Sequence, residues 1–482
     1  MGVSMASGKR VVVIGGGITG LTTCYRLLQE MPNSGAGLEI VLLEASERLG
    51  GVIATSHEQG LLLEHGPDCF LAAKPWGLEL CEGLGLDDEL IGTTTQHRRS
   101  FIVREGKLIA VPQGFYLMAP GSLWPFLTTP AFSWRGKLRM ALDLFLPRRQ
   151  GTDDESLAHF VTRRLGREAL VRMAQPMVGG IYTADPQYLS MQATMPQFLD
   201  MEQRHGSLIR ALWHNQRTAR QQPGSTSGTS GPRYGLFASF RHGMQTLVDA
   251  LARCLPAHAI RCHSRVRSLQ WRTDTSRWRL RIEGQPDLEA DAVCLTLSAP
   301  QAGRLLIATE PALAAALQAI PYASSAIVNF AFRRSDIAHP LNGMGFVVPA
   351  IEQQNLIACS FSSVKFTGRA PEGQALLRAF VGGALHQEQY AQTDDEILAG
   401  VLHDLRHLLG ITGQPLYCQV SRHPQAMAQY HVGHKDRVAQ ITALASQLPG
   451  FVLAGNAYHG VGIPDCIQSG NTAARALLGQ EK

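Results

Sequence analysis

Behind a short polar lead, the chain opens on an unbroken apolar run, Val11 to Ile14, that stops at a glycine turn. Such a run, bounded by glycine, reads as a strand buried on both faces, as in a parallel sheet. Leu21, Cys24, Tyr25 and Leu28 then recur at i, i+3, i+4 and i+7, the stripe of an amphipathic helix, with Pro32 placed to stop it. A glycine-rich loop, 33–37, leads to a second apolar strand, Leu38 to Leu43, closed by Glu44. The pattern predicts a parallel βαβ unit at the head of the chain.

Further along the period changes several times. Leu78, Leu80, Leu84 and Leu86 mark a helix after Lys74, and 153–166 reads as a helix with acids early and Arg163-Arg164 late, which suits its dipole. A helix is expected before Leu255, behind the Gly243 turn, and then a strand over 259–269. Residues 278–295 read as a hairpin-like pair whose end, 295–297, returns to the first sheet. Strand runs at 327–332, 345–348, 356–361 and 376–381 predict an antiparallel sheet flooring a second domain. Phe451 to Ala454 is a last strand, and a turn with Gly460 and Gly462 leads into a helix at Pro464-Asp465. Residues 221–233 read as a polar loop.

One stretch breaks the ordinary mixture: 108–134 contains no charged residue. Prolines 112, 120, 125 and 130 forbid a continuous helix, so it cannot cross a bilayer. Three readings stay open. It walls an apolar ligand cavity, it packs as a buried loop, or it lies in a membrane interface through Phe115, Tyr116, Trp124, Phe126 and Trp134. In the last case Arg135, Lys137, Arg139, Arg148 and Arg149 would help.

The glycine turn carries the first chemistry. Gly15, Gly17 and Gly20 stand at GxGxxG spacing, and Ile18 and Thr19 begin the helix whose free N–H groups would face a pyrophosphate. Glu44 stands where an acid accepts ribose hydroxyls, with Ala45 beside it. Arg48 and the pair Gly50-Gly51 then bring a second bare backbone to the same place, which suits a dinucleotide longer than a nicotinamide one. At the other end, the helix start near Asp465 puts partial positive charge where a reduced flavin holds its negative charge. Gly179-Gly180 and the Asp185-Pro186 turn bring further backbone close to something.

Composition removes several classes. A chain of 482 residues, 45% hydrophobic and 17% charged, fits two or three globular domains. The net charge of +5 comes without a basic and aromatic stripe, so nucleic acid is not an expected partner, while an anionic ligand or membrane surface is compatible. Nine cysteines without a CxxC support neither a disulfide framework nor a zinc site, and no metal is expected. The lead MGVSMASGKR has no apolar segment, so the expected location is cytoplasmic, peripheral on the inner face of the membrane if the uncharged stretch is interfacial.

The segments VVIGGGITGL, EASERLGGVI, GPDCFLAAK, GGIYTADPQYLS and AGNAYHGVGIPDCIQSGN resemble those of the oxygen-dependent porphyrinogen oxidases, flavin amine oxidase-like proteins of haem synthesis, over almost the full length. The resemblance implies non-covalent FAD and conversion of a porphyrinogen, coproporphyrinogen III or protoporphyrinogen IX, to the porphyrin by O2 with H2O2 as by-product. It implies an α/β FAD-binding Rossmann-like domain (1–55, 236–302, 445–482), an antiparallel-sheet substrate domain (56–80, 180–235, 303–444) and a helical, membrane-associating domain (81–179). A further partner would be a ferrochelatase-type next enzyme, and the chain would be a monomer or a homodimer.

Residue by residue, the cofactor set extends to Gly66, Pro67, Asp68, the backbone of Val266 beside the adenine, Gly455, Asn456, Val461, Gly462 and Ile463. Lys74 matches a lysine at the cavity mouth of bacterial members and Gly180 a glycine whose backbone approaches substrate. The propionate arginine of the plant and animal enzymes falls near Ser100, beside Arg98 and Arg99. Met344 and Val347 stand where substrate-ring contacts are made. No catalytic side chain is implied: a meso methylene gives up hydride to the flavin N5 and the pyrrole nitrogens shed their own protons. Two alternatives stay open: another flavin oxidase or desaturase acting on amines or carotenoids, which would share the N-terminal motifs, and a non-enzymatic binder of the same fold, which would not need the complete FAD constellation.

Overall fold

The computed structural model describes residues 9–30, 37–112, 114–221 and 236–480. The stop assigned to Pro32, most of the 33–37 loop and nearly all of the 221–233 loop lie outside the described residues.

Lys9–Ile14 pairs in parallel with Leu38–Leu43 on one side and Ala292–Leu295 on the other. Ile260–Arg261 and Phe451–Leu453 complete a five-stranded parallel sheet. The continuous apolar run has its cause here: Val11 and Val13 enter one core and Val12 and Ile14 another, so both faces of the strand are covered. On the first face lie the helix Ile18–Gln29 and the C-terminal helix Ile463–Leu477. Leu21, Cys24 and Tyr25 are buried as the stripe predicts, whereas Leu27 is buried and Leu28 only half-buried.

A three-stranded antiparallel sheet, Val266–Arg272, Arg277–Ile282 and Leu288–Ala290, covers the other face with Trp278 and Leu280. The single strand expected over 259–269 is therefore two. Between them the chain turns away at His263, whose N–H donates to Ser46 O, while Ser264 N–H donates to Glu44 O. The hairpin expected within 278–295 also resolves differently, because Arg277–Ile282 pairs back to 266–272 and Ala292–Leu295 alone joins the parallel sheet.

The second sheet has seven strands in the order Tyr417–Ala428, Tyr322–Arg333, Gln374–Gly382, Ala358–Phe361, Gly345–Val347, Phe101–Arg104 and Lys107–Ala110. Helix Asp394–Leu409 covers one face with Ile397, Val401 and Leu405, and its start is fixed by a reciprocal Thr393 and Glu396 capping box. The 101–110 hairpin, grouped by its sequence with the helical segment, extends this sheet through a parallel pairing with 345–347.

The third unit packs helices from Trp134–Ala141 to Leu208–Gln221 around Phe126, Phe132, Phe160, Met173 and Phe198. Helical structure thus continues past residue 179. Arg164, fully buried, holds this unit from within: its Nε donates to Asp143 Oδ1 at 2.6 Å and its other nitrogens reach the carbonyls of Leu146, Pro147 and Gly206. A buried charge satisfied on every side is tolerated where an unpaired one is not.

Candidate active site

The N-terminal turn forms a cradle whose three glycines do three different things. A Cβ on Gly20 would stand 2.0 Å from Gly15 O, so this glycine lets the helix press on the turn. Gly15 sits at φ +112 against Thr296, a backbone that side chains rarely allow. A Cβ on Gly17 would meet nothing within 4 Å, so Gly17 faces open space. No side chain caps the helix Ile18–Gln29 at Gly17, and its first N–H groups, Ile18 and Thr19 included, point into that space. A cradle that only a Cβ would fill, facing uncapped helix donors, fits a pyrophosphate.

The second loop closes on the first. Gly17 and Gly50 form a parallel bridge, and Gly50 N–H donates to Gly16 O at 2.8 Å. Arg48, though exposed, folds back on its own loop. Its guanidinium donates to the carbonyls of Leu49, Gly51 and Ile53, so it shapes the loop that presents Gly50 and Gly51. Glu44 accepts Gly16 N–H through Oε2 at 2.7 Å and the Ser46 N–H and hydroxyl through Oε1 at 2.8 Å, which fixes the carboxylate at the strand end. Ala45 is exposed beside it, and Val266 is buried at the start of its strand.

The C-terminal loop 455–462 returns to the same place. Gly455 N–H donates to Ser469 Oγ, and Asn456 spends its amide on Ala426 O. Tyr430 spans the loop: its hydroxyl donates to Asn456 O at 2.7 Å and accepts Gly460 N–H at 2.8 Å, while its ring stacks on His434 at 3.9 Å. Nothing local in the sequence marks Tyr430, which sits 26 and 30 residues from those partners. Gly462 N–H donates to Asp465 Oδ2 at the start of the last helix, and Val461 packs toward the helical core.

Asp68, expected among the cofactor residues, is a buried anion with its own partners. Lys365 Nζ lies 2.9 Å away and Arg378 3.6 Å, and Cys69 Sγ donates to it. Burial alone would raise the Asp68 carboxyl, but the Lys365 and Arg378 charges outweigh it and hold it well below the usual carboxylate range. Burial, with Asp68 alongside, pushes the Cys69 thiol up to about 12, so it stays protonated. Gly66 and Pro67 complete this wall: a Cβ on Gly66 would strike Val52 O, and the Gly66 carbonyl accepts from Arg378.

On the expected substrate side, Lys74 is not free: its ammonium meets Asp465 Oδ1 at 2.5 Å, at the entrance of the last helix. The structure does bring Gly180 and Val347 face to face, with a Cβ on Gly180 falling 3.8 Å from Val347 Cγ1. Met344, three residues before Val347, donates its N–H to Arg99 O at 2.9 Å. The side chains of Arg98 and Arg99 are exposed beside this edge. Val347, Tyr182 and Val461 pack on one apolar cluster, which connects the substrate side to the C-terminal loop.

The uncharged stretch divides. Met118, Ala119, Phe126, Ala131 and Phe132 are buried in the helical core, while Trp124 and Trp134 are 74% and 68% exposed. Those two tryptophans border an open groove of about 1020 Å³ with Arg104, Lys107 and Lys137 in its wall. Among the described residues, no helix is long and apolar enough to cross a membrane, and no three metal-ligating side chains converge. All nine cysteines are free, five of them buried.

Known proteins share both the sequence and this geometry. The profile of flavin containing amine oxidoreductases matches residues 18–478. The coproporphyrinogen III oxidase of Bacillus subtilis (strain 168) is 35% identical over 476 residues, covering 98% of this chain and 99% of the relative. The protoporphyrinogen oxidase of Homo sapiens is 31% identical, covering 98% and 99%. A solved structure from Exiguobacterium sp. 255-15, described as a protoporphyrinogen oxidase, superposes with a TM-score of 0.86 at 31% identity, covering 99% of this chain and 100% of the other.

Proposed function

The chain belongs to the flavin containing amine oxidoreductase family, and on that premise we propose that its substrate is coproporphyrinogen III rather than protoporphyrinogen IX. The chain is an FAD-dependent porphyrinogen oxidase of haem biosynthesis, with O2 as electron acceptor. Two propionates of coproporphyrinogen are vinyls in protoporphyrinogen, so the preference turns on how many cations meet carboxylates. The observation that carries the reading is the exposed pair Arg98 and Arg99, the second of which accepts Met344 N–H through its carbonyl. A guanidinium fork matches a carboxylate. The coproporphyrinogen-named relative, 35% identical against 31% for the human protein, favours the same side. Assaying both porphyrinogens in parallel on the purified protein tests it: the higher kcat/KM should belong to coproporphyrinogen, and the reverse order overturns the preference.

FAD, when bound, supplies the two-electron acceptor and returns its electrons to O2 as H2O2. The chain supplies the rest. Gly17, Gly50, Gly51 and the donors of Ile18 and Thr19 would hold the pyrophosphate, Glu44 the ribose, and the 455–463 loop the far end. Gly180, Val347 and Met344 would wall the tetrapyrrole with apolar surface that excludes water, and Lys74, Arg98 and Arg99 would answer its propionates. Because the pyrrole nitrogens release their own protons, a dedicated base is not required.

We also propose that the helical unit rests on an anionic membrane surface without entering it deeply. Leu123, Trp124, Trp134, Leu138, Leu142 and Phe145 are all exposed within one short segment, and the groove beside them is basic. Exposed aromatics flanked by Lys and Arg are the pattern of an interfacial surface.

A further inference from the structure

Helix Gln175–Tyr182, which carries Gly180, is held at both ends by the seven-stranded sheet. At its start, Gln175 Oε1 accepts Ala350 N–H at 2.9 Å, just beyond strand 345–347. At its finish, Thr183 O accepts Ala384 N–H at 2.8 Å, and Tyr182 O accepts the Gln429 amide at 3.1 Å. Ala384 and Gln429 come just after strands Gln374–Gly382 and Tyr417–Ala428, so the helix lies as a crossbar over strand ends from one side of the sheet to the other.

One pin of this crossbar is a charge pair. Arg172 Nη1 lies 2.5 Å from Glu352 Oε1, with side-chain exposures of 20% and 9%. Glu352 Oε2 also accepts the N–H of Gly106, in the turn of the 101–110 hairpin. Three segments therefore meet at one shielded carboxylate. Arg172 belongs to a π-helical turn, Leu170–Ala174, directly before the crossbar. Such turns add a residue to a helix, re-aim the turns C-terminal to them, and recur at functional sites.

We propose that Arg172 and Glu352 are positioning residues that hold Gly180 against Val347, and with it the shape of the apolar wall that faces the tetrapyrrole. Glu352 follows strand 345–347 by five residues and Arg172 precedes Gly180 by eight, so the pair ties together the two segments that meet at Gly180 and Val347. Among the described residues, no hydrogen bond or ion pair links either side chain to Gly180 or Val347, so both act through the backbone of their element. This inference rests on the assignment of Gly180 and Val347 to the substrate.

Steady-state kinetics on the FAD-loaded protein with coproporphyrinogen test it. Arg172→Ala should raise KM roughly tenfold, by shifting Gly180 on that wall, with kcat less affected and flavin content unchanged. Arg172→Lys, which keeps the charge, should recover most of that loss. Glu352→Gln, nearly the same size, should reproduce it, and it stands as the readout if Arg172→Ala does not fold. An unchanged KM in an active protein overturns this inference alone, and so does a KM rise matched by lost flavin and not recovered by lysine. A wild-type protein that oxidised neither porphyrinogen would overturn the substrate assignment as well.

Discussion

Lys74 and Asp465 are 391 residues apart in sequence, and their side chains meet at 2.5 Å. The pair joins the first residue before helix Pro75–Gly83 to the first turn of the last helix. Asp465 also accepts Gly462 N–H, so the lysine neutralises an acid that shapes the C-terminal loop. If Lys74 also reads a propionate, Lys74→Ala should raise KM about ten- to a hundredfold, in line with ~1.5–3 kcal/mol for a hydrogen bond to a charged group. The rise should vanish for an esterified porphyrinogen. If its work is only to neutralise Asp465, the rise should persist with the ester and be cancelled by adding Asp465→Asn. Kinetics of the single and double variants with acid and ester separate the two.

Gly17 and Gly20 offer a contrast within one motif. A methyl at Gly17 meets no protein atom within 4 Å, so Gly17→Ala should leave the melting temperature of the FAD-free protein unchanged while FAD content falls. A methyl at Gly20 would lie 2.0 Å from Gly15 O, so Gly20→Ala should lower that temperature itself. Equal flavin content in Gly17→Ala and the wild type would remove the pyrophosphate from this turn.

Much of this was legible in sequence because it is local. The spacing of Gly15, Gly17, Gly20 and Glu44 lies within one βαβ unit, and the fold gathers them at one turn. Strands such as 374–382 were marked by their own apolar runs. The features that stayed hidden depend on distant pairing. The charge of Lys365 marks a solvated surface until the fold sets it on Asp68, 297 residues away. Strand 101–104 is too short to announce that it pairs with 345–347 rather than with the helices next in the chain. Arg48 fits a cofactor contact by position, and only the fold shows its donors spent on carbonyls of its own loop.

Tyr430 is the clearest residue that only the fold reveals. Its hydroxyl holds Asn456 O and Gly460 N–H at once, so Tyr430→Phe should leave two backbone groups of the loop without that partner. Each lost neutral hydrogen bond costs ~1 kcal/mol. The expected result is weaker FAD retention on dilution, measured by fluorescence of the released flavin, with the secondary structure intact. Unaltered retention would place the loop's hold on the cofactor elsewhere.

The exposed segment 123–145 sets a further test. Trp124→Ser with Trp134→Ser and Phe145→Ser removes three residues that are 74%, 68% and 78% exposed, so the fold should lose little. Flotation with vesicles containing anionic lipid should fall sharply, and the remaining binding should be more sensitive to salt, because what is left is charge attraction screened within ~10 Å at 0.1 M. Wild-type protein that does not float with these vesicles refutes the membrane proposal.

Acid should destabilise the protein through its buried histidines. Burial holds His434 down at about 4, with Nε2 near Tyr458 O and the ring stacked on Tyr430. Partial burial also lowers the half-buried His65 and His423. A histidine whose folded pKa lies below its unfolded value of 6.5 binds fewer protons folded than unfolded between those two values. Stability therefore rises with pH across that window and is lost as pH falls from 6.5 toward 4. Melting temperatures measured between these limits should decline on acidification, and His434→Phe, which keeps a ring against Tyr430, should decline less steeply. The variant also loses the contact to Tyr458 O, but that loss is nearly constant over the window and shifts the curve without changing its slope. A slope identical to wild type would mean that the proton is taken up by the half-buried histidines instead.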